Sequence, residues 1–264
     1  MKVSVITTCY NRGRTIAQAA GSVLSQDYDN LEYIVVDGKS TDNTLEELKR
    51  ELAAHKGRDV KVISEPDNGL YEGLNKGIRM ATGDIIGIGH SDDFLFDEHV
   101  ISSIADKFET TGADMVYANG IYVDEHDTSE VVRVWRSGQY EMKNVKKGWL
   151  PLHPTVFIRR DTMLRLGLYD ERYKISADSD LLVRYLYDNK DLKVAYLDRF
   201  VVVMRMGGLS TDLRKFLSKW REDFIMYRSH GIFPFFALPL KILRKVPQFF
   251  IKIKEKNNES QTLK

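Results

Sequence analysis

Two adjacent carboxylates, Asp92 and Asp93, closely follow an apolar run at residues 84–88. Because neighbouring acids repel each other, a cation or hydrogen-bond donors must offset their charge. Mg²⁺ and Mn²⁺ prefer carboxylate oxygen and usually share their sites with substrate phosphates. The pair is therefore a candidate metal site. The alternative interpretation is a turn that caps the following helix near Asp97.

Polar side chains also end the three earlier apolar runs. The first run ends at Thr7 and Thr8, the second ends at Asp37, and the third is followed by Asp67 and Asn68. A carboxylate in such a position can accept a hydrogen bond from a nucleotide base or a ribose hydroxyl. Each acid taken alone is more simply a turn or capping residue. Four such strand ends together favour one polar binding site.

The elements that must position these groups alternate strand-like and helix-like patterns. Short apolar runs lie at 3–8, 33–36, 60–63 and 84–88, and apolar residues recur at helical spacing in 16–24, 45–52 and 70–80. This alternation predicts an α/β fold with a mostly parallel central sheet covered on both faces. Open α/β sheets bind ligands at the carboxyl ends of their strands, so the polar groups are predicted to share one edge.

The chain changes character after residue 110. Alternating runs at 117–135 predict a β-hairpin, further strands are predicted at 155–158, 194–197 and 200–204, and a helix is predicted at 181–187. We therefore predict an α/β half at 1–110, a smaller mixed half of the same domain at 111–230, and a basic amphipathic tail at 231–264.

Composition excludes several classes of protein. The chain has 264 residues, 43% of them hydrophobic and 29% charged, and its net charge is +1. No global field would attract nucleic acid, so no nucleic-acid partner is predicted. The single cysteine, Cys9, excludes a disulfide scaffold and favours a reducing compartment. No signal peptide is recognised, and no uncharged apolar run reaches the roughly 18 residues of a spanning helix.

The segment at 233–254 is rich in Phe, Leu and Ile, with interleaved Lys and Arg. This pattern predicts an amphipathic segment in contact with a membrane surface, and hence a cytoplasmic protein on the inner face of the cell membrane. Its prolines are expected to limit any helix to short pieces such as 240–246. The alternative is a helix packed on the core. Residues 256–264 are predicted to be disordered.

Several strings in the first 110 residues resemble the family 2 inverting glycosyltransferases of bacterial polysaccharide biosynthesis. They are Val3-Ser4-Val5-Ile6-Thr7-Thr8-Cys9-Tyr10-Asn11-Arg12, Ser25-Gln26, the run from Ile34 to Asp42, Asn75-Lys76-Gly77, and the run from Ala81 that leads into Ser91-Asp92-Asp93. The resemblance is continuous over about 1–110 and thinner from His153 to Ser210. It implies a GT-A-like nucleotide-binding fold, with the donor in the first half and the acceptor in the second.

The resemblance also implies roles for individual residues. Thr8, Tyr10 and Asp37 would line the base pocket, Asp67 and Asn68 would lie near the base and ribose, Asp92 would face the ribose, and Asp93 would hold Mg²⁺ or Mn²⁺ on the diphosphate. Asp178 matches the catalytic base. The family's acidic pair has Ala177 at its first position here, which leaves Asp178 and Asp180 as alternatives for the base.

Other residues have weaker indications. His90 and His153 could lie near the donor or acceptor sugar, or could be structural, and Gly208 resembles part of a family loop that passes close to the diphosphate. Trp135, Tyr140 and Trp149 could stack on an acceptor sugar, although aromatic residues on a hairpin more often pack locally.

The sequence thus predicts an inverting, metal-assisted transfer of a sugar from a nucleotide-diphosphate sugar to a hydroxyl of a saccharide or lipid-linked acceptor. A UDP-sugar is favoured because Asp37 suits uracil. The alternative is a non-catalytic nucleotide-sugar binder or membrane-associated scaffold of the same fold. A nucleotidyltransferase is disfavoured because the chain lacks a Gly-rich phosphate loop near its N-terminus. An oxidoreductase is disfavoured because Gly-x-Gly-x-x-Gly does not follow the first run.

Overall fold

The computed structural model describes residues 1–207 and 216–249. Its first half contains four parallel strands in the order β3-β2-β1-β4. The strands are β1 (Val3–Cys9), β2 (Leu31–Asp37), β3 (Asp59–Ser64) and β4 (Ile85–Ile88), and the connecting helices are α1 (Ile16–Leu24), α2 (Thr44–Ala54) and α3 (Leu70–Met80). The predicted alternation of strands and helices is confirmed.

The two faces of this sheet are covered by different helices. Ile6 of β1 belongs to the core cluster that contains Leu74 and Ile78 of α3, whereas its neighbour Val5 belongs to the cluster that contains Ile16 of α1. Successive strand residues point to opposite faces, so a strand buried on both faces becomes a continuous apolar run. The packing on α3 is close, because a Cβ at Gly77 would lie 2.4 Å from Ile6 Cγ2.

The second half extends the same sheet with mixed strands, in the order β4-β8-β6-β9-β5, and β7 pairs with β6. The strands are β5 (Phe94–Leu95), β6 (Met115–Val123), β7 (Val131–Trp135), β8 (Phe157–Arg159) and β9 (Val194–Arg205), and the helices are α4 (Val100–Thr111), α5 (Met142–Val145), α6 (Arg160–Leu166) and α7 (Ala177–Val183). The antiparallel pairing of β6 with β7 confirms the predicted hairpin. The predicted domain boundaries near 110 and 230 stay predictions.

Three predicted elements have different bounds in the structure. The strands predicted at 194–197 and 200–204 are one strand, β9, because its pairing with β6 continues through register shifts around Asn119. The strand predicted at 155–158 begins at Phe157, after a 3₁₀ turn over His153–Thr155. The helix predicted at 181–187 begins at Ala177 and continues as a π-helical turn over Arg184–Asp188.

The C-terminal region forms α8 (Phe216–Ser229), α9 (Pro234–Leu243) and a 3₁₀ turn over Val246–Phe249. The prediction that prolines restrict the helix to 240–246 is wrong. Pro234 lies at the start of α9, where a backbone N–H is not needed, and Pro239 lies inside α9 on its exposed side. Buried Ala237 and Leu238 hold the helix on the core.

Among residues 1–207 and 216–249, the helices are all too short or too polar to cross a bilayer. The predicted disordered end at 256–264 and residues 250–254 of the predicted membrane segment lie outside the described residues, as does Gly208.

Candidate functional site

The acidic pair Asp92-Asp93 lies between β4 and β5. Asp93 is 6% exposed, and its Oδ1 accepts a hydrogen bond from the backbone amide of Arg205 at 3.1 Å. The Arg205 guanidinium donates to the Asp92 carbonyl, and an Arg12 nitrogen lies 4.0 Å from the Asp92 carboxylate. Because β5 pairs with β9, the strand that carries Arg205 fixes the position of the acidic pair.

Burial raises the pKa of Asp93 well above its ordinary value, and the neighbouring charge of Asp92 raises it further. Arg205 and Arg12 offset this effect only in part. Asp93 is thus a buried carboxylate whose ionised form needs more positive charge, which a divalent cation would supply. The described residues contain no group of three or more His, Cys, Asp or Glu side chains arranged to hold a metal ion. The residues therefore fit a cation held by one or two carboxylates together with substrate phosphates, which is the common arrangement for Mg²⁺.

The end of β1 contains an unsatisfied polar atom. The Thr8 hydroxyl oxygen is buried and has no hydrogen-bond partner among the described residues. Asp67 lies beside it, since a Cβ at Gly73 would contact Thr8 Cγ2 at 3.0 Å and an Asp67 oxygen at 3.3 Å. Buried polar groups normally have a partner, so a hydroxyl left without one in the fold indicates a ligand contact.

The loops after β1 and β2 adopt an unusual backbone conformation. Asn11 and Lys39 are the non-glycine residues with positive φ in the described parts of the chain, at 53° and 67°. The Asn11 amide donates to Ser40 Oγ, and the Thr41 amide donates to Asn11 Oδ1, so the two loops hold each other. Such conformations are concentrated at functional sites, where the surrounding structure over-determines them. Tyr10, in the first of these loops, is exposed.

Asp37 is fully buried, and its carboxylate is hydrogen-bonded to other residues of the protein. Its oxygens accept hydrogen bonds from the Ser40 hydroxyl at 2.5 Å, the Ser64 hydroxyl at 2.6 Å and the Ser40 amide. Asp37 thereby ties the end of β2 to the end of β3. Its predicted contact with the base stays a prediction. Asn68 is exposed and donates to Glu72 at 2.7 Å.

The second half contributes Asp178 in the first turn of α7. Its Oδ1 accepts a hydrogen bond from the Ser179 amide at 2.7 Å, and among the described residues no other hydrogen bond engages the carboxylate. The preceding loop is fixed by Glu222 of α8, which accepts bonds from the backbone amides of residues 174–176 at 2.8–3.0 Å. Asp178 is therefore held at a defined place and keeps free acceptor positions.

Burial alone would raise the pKa of Asp178. The nearby charges of His153, Lys219 and Lys241, with the Ser179 amide, outweigh burial and hold the pKa below its ordinary value. Burial lowers the pKa of His153 to about 4, so that imidazole is neutral near pH 7 and the two lysines carry the effect there. Asp178 is thus ionised over the physiological range and can accept a proton.

Asp180, the alternative base, is engaged elsewhere. One of its oxygens lies 3.0 Å from His230 Nε2, and the other lies 3.3 Å from Arg184. The opposite nitrogen of His230 contacts Asp188 at 2.6 Å. Asp180 therefore fixes α7 against the segment after α8 and has little capacity left for an acceptor hydroxyl.

His90 and His153 lie between the acidic pair and Asp178. Their ring centroids are 6.0 Å apart, and His153 Nε2 is 2.7 Å from the Tyr169 hydroxyl. Burial lowers the pKa of His90, while the charges of Asp92 and Asp178 act in the opposite direction. His90 is thus within electrostatic range of residues from both halves. The structure therefore brings the predicted donor and acceptor carboxylates within electrostatic range of the same side chains, since Asp92 and Asp178 both act on His90, and Asp93 and Asp178 both act on Tyr122.

The aromatic residues proposed for acceptor stacking have local partners. The Trp149 indole donates to the Ser137 carbonyl at 3.0 Å, and its ring packs on Tyr117. Tyr140 donates to the Leu186 carbonyl at 2.5 Å. Local packing therefore accounts for Tyr140 and Trp149, whereas Trp135 contacts the cationic groups of Arg133 and Lys245.

Sequence reasoning missed Arg205, Arg12, Glu222 and Lys241. Arg12 belongs to the string that resembles the family, and its place in the loop after β1 is the signal that could indicate a site residue. The others come from distant parts of the chain, and their relation to the site depends on the register of β9 and on the packing of α8 and α9 against α7.

Comparison with known proteins identifies a matching family and a shared fold. The family model described as Glycosyl transferase family 2 matches residues 4–165. The Bacillus subtilis protein EpsE, named as a glycosyltransferase, is 40% identical over 187 residues, which cover 70% of this chain and 66% of EpsE.

Two solved structures share the fold. S. aureus TarS in complex with UDP-GlcNAc superposes with a TM-score of 0.68 at 20% identity, covering 86% of this chain and 66% of that one. A mannosyltransferase from Pyrobaculum calidifontis, in complex with GDP-Man and Mn²⁺, gives a TM-score of 0.63 at 17% identity, covering 94% and 73%. The chain thus spans about two thirds of the length of EpsE and of that TarS chain. These likenesses confirm the predicted GT-A-like α/β fold.

Proposed function

The chain belongs to glycosyl transferase family 2, and from this premise we propose that it transfers a sugar, with inversion, from a nucleotide-diphosphate sugar to a hydroxyl of a saccharide or lipid-linked acceptor. The proposed base is Asp178. The observation that carries this proposal is the contrast between Asp178, whose carboxylate keeps free acceptor positions, and Asp180, which is engaged by Arg184 and His230. Synthesis of a surface polysaccharide is the proposed setting.

In the proposed mechanism, the acceptor hydroxyl hydrogen-bonds to Asp178 and transfers its proton there as it attacks the anomeric carbon. The bond between that carbon and the diphosphate breaks on the opposite face, so the configuration inverts. One base suffices and no covalent intermediate forms, in contrast to hydrolases that use two carboxylates. Lys219 and Lys241 keep Asp178 ionised before the transfer.

Asp93 is the proposed ligand for Mg²⁺ or Mn²⁺, with Asp92 beside it facing the ribose. A divalent cation bound there would stabilise the negative charge that develops on the leaving diphosphate. The structure of the Pyrobaculum mannosyltransferase, which shares the fold, contains Mn²⁺. This supports a divalent cation for this chain but does not decide between Mg²⁺ and Mn²⁺. Arg12, 4.0 Å from Asp92, adds positive charge on the same side of the cleft.

UDP is the nucleotide we favour, because UDP-GlcNAc is bound in the TarS structure, although the Pyrobaculum structure contains GDP-Man. Thr8, Tyr10 and Asp37 are the proposed base-pocket residues, with Asp67 and Asn68 near the base and ribose. Thr8 has the strongest support, since its buried hydroxyl lacks a partner in the described fold.

Replacing Thr8 with Val is expected to weaken nucleotide binding by about fivefold, since one hydrogen bond contributes roughly 1 kcal/mol and tenfold corresponds to about 1.4 kcal/mol. The variant should be at least as stable as the wild type, because it removes a buried hydroxyl that has no partner. Calorimetric titration with UDP and Mn²⁺ measures the affinity, and thermal unfolding without ligand measures stability. Unchanged affinity would remove Thr8 from the base pocket.

Contact with the membrane surface is proposed for the C-terminal region, in agreement with a lipid-linked acceptor. Several large apolar side chains there are exposed, among them Phe233 (67%), Phe235 (66%) and Leu243 (61%), next to exposed Arg244. An apolar surface with interleaved cations suits anionic lipid headgroups. We therefore propose that the enzyme acts at the inner face of the cell membrane, through residues within 233–254.

A screen of nucleotide-diphosphate sugars with and without Mn²⁺ tests the proposed function. The true donor should raise the unfolding temperature, because a ligand that binds only the folded state stabilises it. The donor so found is then incubated with saccharide and prenyl-linked acceptors, and NMR identifies the anomer first formed. Retention of the donor's configuration would contradict the mechanism. Binding without transfer to any acceptor would favour the non-catalytic alternative.

A further inference from the structure

Four cationic side chains converge beside α7 at the C-terminal end of the molecule. We call Arg133, Lys219, Lys241 and Lys245 the basic cluster. Arg133 and Lys245 share one aromatic ring, since their charged groups lie 4.8 Å and 5.9 Å from the centre of the Trp135 ring. Gln248 accepts a 2.8 Å hydrogen bond from Arg133, which holds the guanidinium near Lys245. The cluster thus joins β7 to the helices α8 and α9.

Negative charge within the cluster is scarce. Asp223 is buried and pairs with Lys241 at 2.9 Å. Over residues 1–207 and 216–249, no hydrogen bond or ion pair engages the ammonium groups of Lys219 and Lys245. Partly buried cations that face one another without enough carboxylates destabilise a fold. The presence of these lysines is better explained by an anionic ligand than by stability.

The protonation of Lys245 reflects this excess of positive charge. Burial lowers its pKa to about 7, and the charges of Lys241, Lys219 and Arg133 add to the effect. A bound anion would restore the charged form, because opposite charge nearby favours ionisation.

The basic cluster lies directly beside the proposed base. The Lys241 ammonium is 3.5 Å from the hydroxyl of Ser179, the residue after Asp178, and both Lys241 and Lys219 act electrostatically on Asp178. On the other side, α9 bears the exposed apolar residues Phe235, Phe236 and Leu243. The cluster therefore separates the reaction centre from an apolar surface.

We propose that the basic cluster binds a phosphate group of the acceptor, next to the hydroxyl that Asp178 deprotonates. This inference rests on the proposed function and specifies its acceptor as an anionic, phosphate-bearing molecule. An acceptor built as a saccharide on a prenyl phosphate has its phosphate between a sugar and an apolar chain, which is the order of Asp178, basic cluster and apolar surface in this molecule.

Calorimetric titration with farnesyl phosphate tests the inference on the full-length protein. UDP and Mn²⁺ are kept saturating so that the donor site is filled, with GDP in place of UDP if the screen selects it. Inorganic phosphate and farnesol are titrated in parallel. The variants are Lys245→Met and Lys219→Gln, singly and together. The control is Arg228→Gln, which removes an exposed cation of α8 outside the basic cluster and outside the proposed membrane segment.

Farnesyl phosphate should bind the wild type and the Arg228→Gln control equally. Each lysine substitution should weaken binding by about tenfold, since a charge-assisted hydrogen bond contributes roughly 1.5–3 kcal/mol. If farnesyl phosphate binds more tightly than inorganic phosphate, the result supports a prenyl-linked phosphate as the ligand. If the two bind equally, the result supports an anion site that recognises the phosphate group alone. Equal binding of farnesol, or undiminished binding in the double variant, would overturn the inference.

Stability provides a second measurement that does not depend on binding. Lys245→Met replaces a cation repelled by three others with an apolar side chain of similar length, so its unfolding temperature should equal or exceed that of the wild type. A variant that folds well but loses farnesyl phosphate separates a ligand site from a structural role. If wild-type protein binds no nucleotide, the proposed function fails; if it binds nucleotide but not farnesyl phosphate, only this inference fails.

Discussion

Replacing Asp178 with Asn is expected to lower kcat by about 10³-fold, within the 10²–10⁴-fold range of general-base catalysis. The side chain keeps its shape and its acceptor for the Ser179 amide, but it can no longer accept a proton from the acceptor hydroxyl. Affinity for the nucleotide should be unchanged, because Asp178 belongs to the acceptor half. Initial rates at saturating donor and acceptor measure kcat, and titration with UDP and Mn²⁺ measures donor affinity.

Asp180→Asn is the informative partner of this variant. It removes the charge that holds Arg184 and His230, so it should reduce the free energy of unfolding by about 2 kcal/mol, the scale of a hydrogen bond to a charged group. Folded molecules should keep most of their activity at a temperature well below unfolding. A loss of kcat confined to Asp180→Asn, with Asp178→Asn active, would exchange the two roles.

The pH dependence of transfer gives an independent check on Asp178. Burial raises the pKa of Asp178, but the charges of His153, Lys219 and Lys241 outweigh it and hold the pKa below the ordinary carboxylate value, so the base is deprotonated throughout the neutral range. The activity should therefore fall on the acidic side only below the pH at which an ordinary aspartate titrates. The rates are measured at saturating donor and Mn²⁺, because the raised pKa of Asp93 could otherwise produce an acidic limb of its own. An acidic limb near neutrality under these conditions would contradict the assignment of Asp178.

The first half of the fold could be predicted because its signals are local. The strands β1, β2 and β4 are buried on both faces, so each forms a mostly apolar run, whereas the edge strand β3 is partly exposed. Each of the four runs is followed by polar residues that the topology brings to one edge. The same reasoning placed Asp92, Asp93 and Thr8 at that edge. Local sequence patterns do not predict that the Asp37 carboxylate accepts hydrogen bonds from Ser40 and Ser64, since the Ser64 hydroxyl comes close only after β2 and β3 have paired.

The second half depends on contacts between distant residues. In sequence, only the family resemblance separates Asp178 from Asp180. They differ physically because His230, fifty residues after Asp180, packs against Asp180. The amide of Arg205 donates to Asp93, which lies 112 positions earlier in the chain. This contact depends on the pairing of β5 with β9, and β5 has only two residues, too few for its pairing to be predicted from sequence. At Pro239 a local signal leads to a wrong prediction. Proline normally interrupts a helix, but α9 continues through Pro239 because buried Ala237 and Leu238 hold the helix on the core.

Replacing Asp93 with Asn is expected to remove the contribution of the divalent cation to donor binding and to lower kcat by about 10³-fold, since a metal contributes several kcal/mol of charge stabilisation and about 1.4 kcal/mol corresponds to tenfold. Asn keeps an acceptor oxygen for the Arg205 amide and removes a charge that burial and Asp92 disfavour. The apo variant should therefore fold as stably as the wild type, and the loss of activity should not reflect unfolding.

The decisive measurement for Asp93 is the difference in UDP affinity with and without Mn²⁺. In the wild type Mn²⁺ should tighten binding, whereas in Asp93→Asn the two affinities should converge. Asp106→Asn is the matched control, because it removes an exposed carboxylate on α4, away from the cleft, and should leave the Mn²⁺ effect intact. An undiminished Mn²⁺ effect in Asp93→Asn would assign the cation to other ligands. Loss of the effect with unchanged kcat would show that the cation binds at Asp93 but stabilises the bound diphosphate and its leaving form equally.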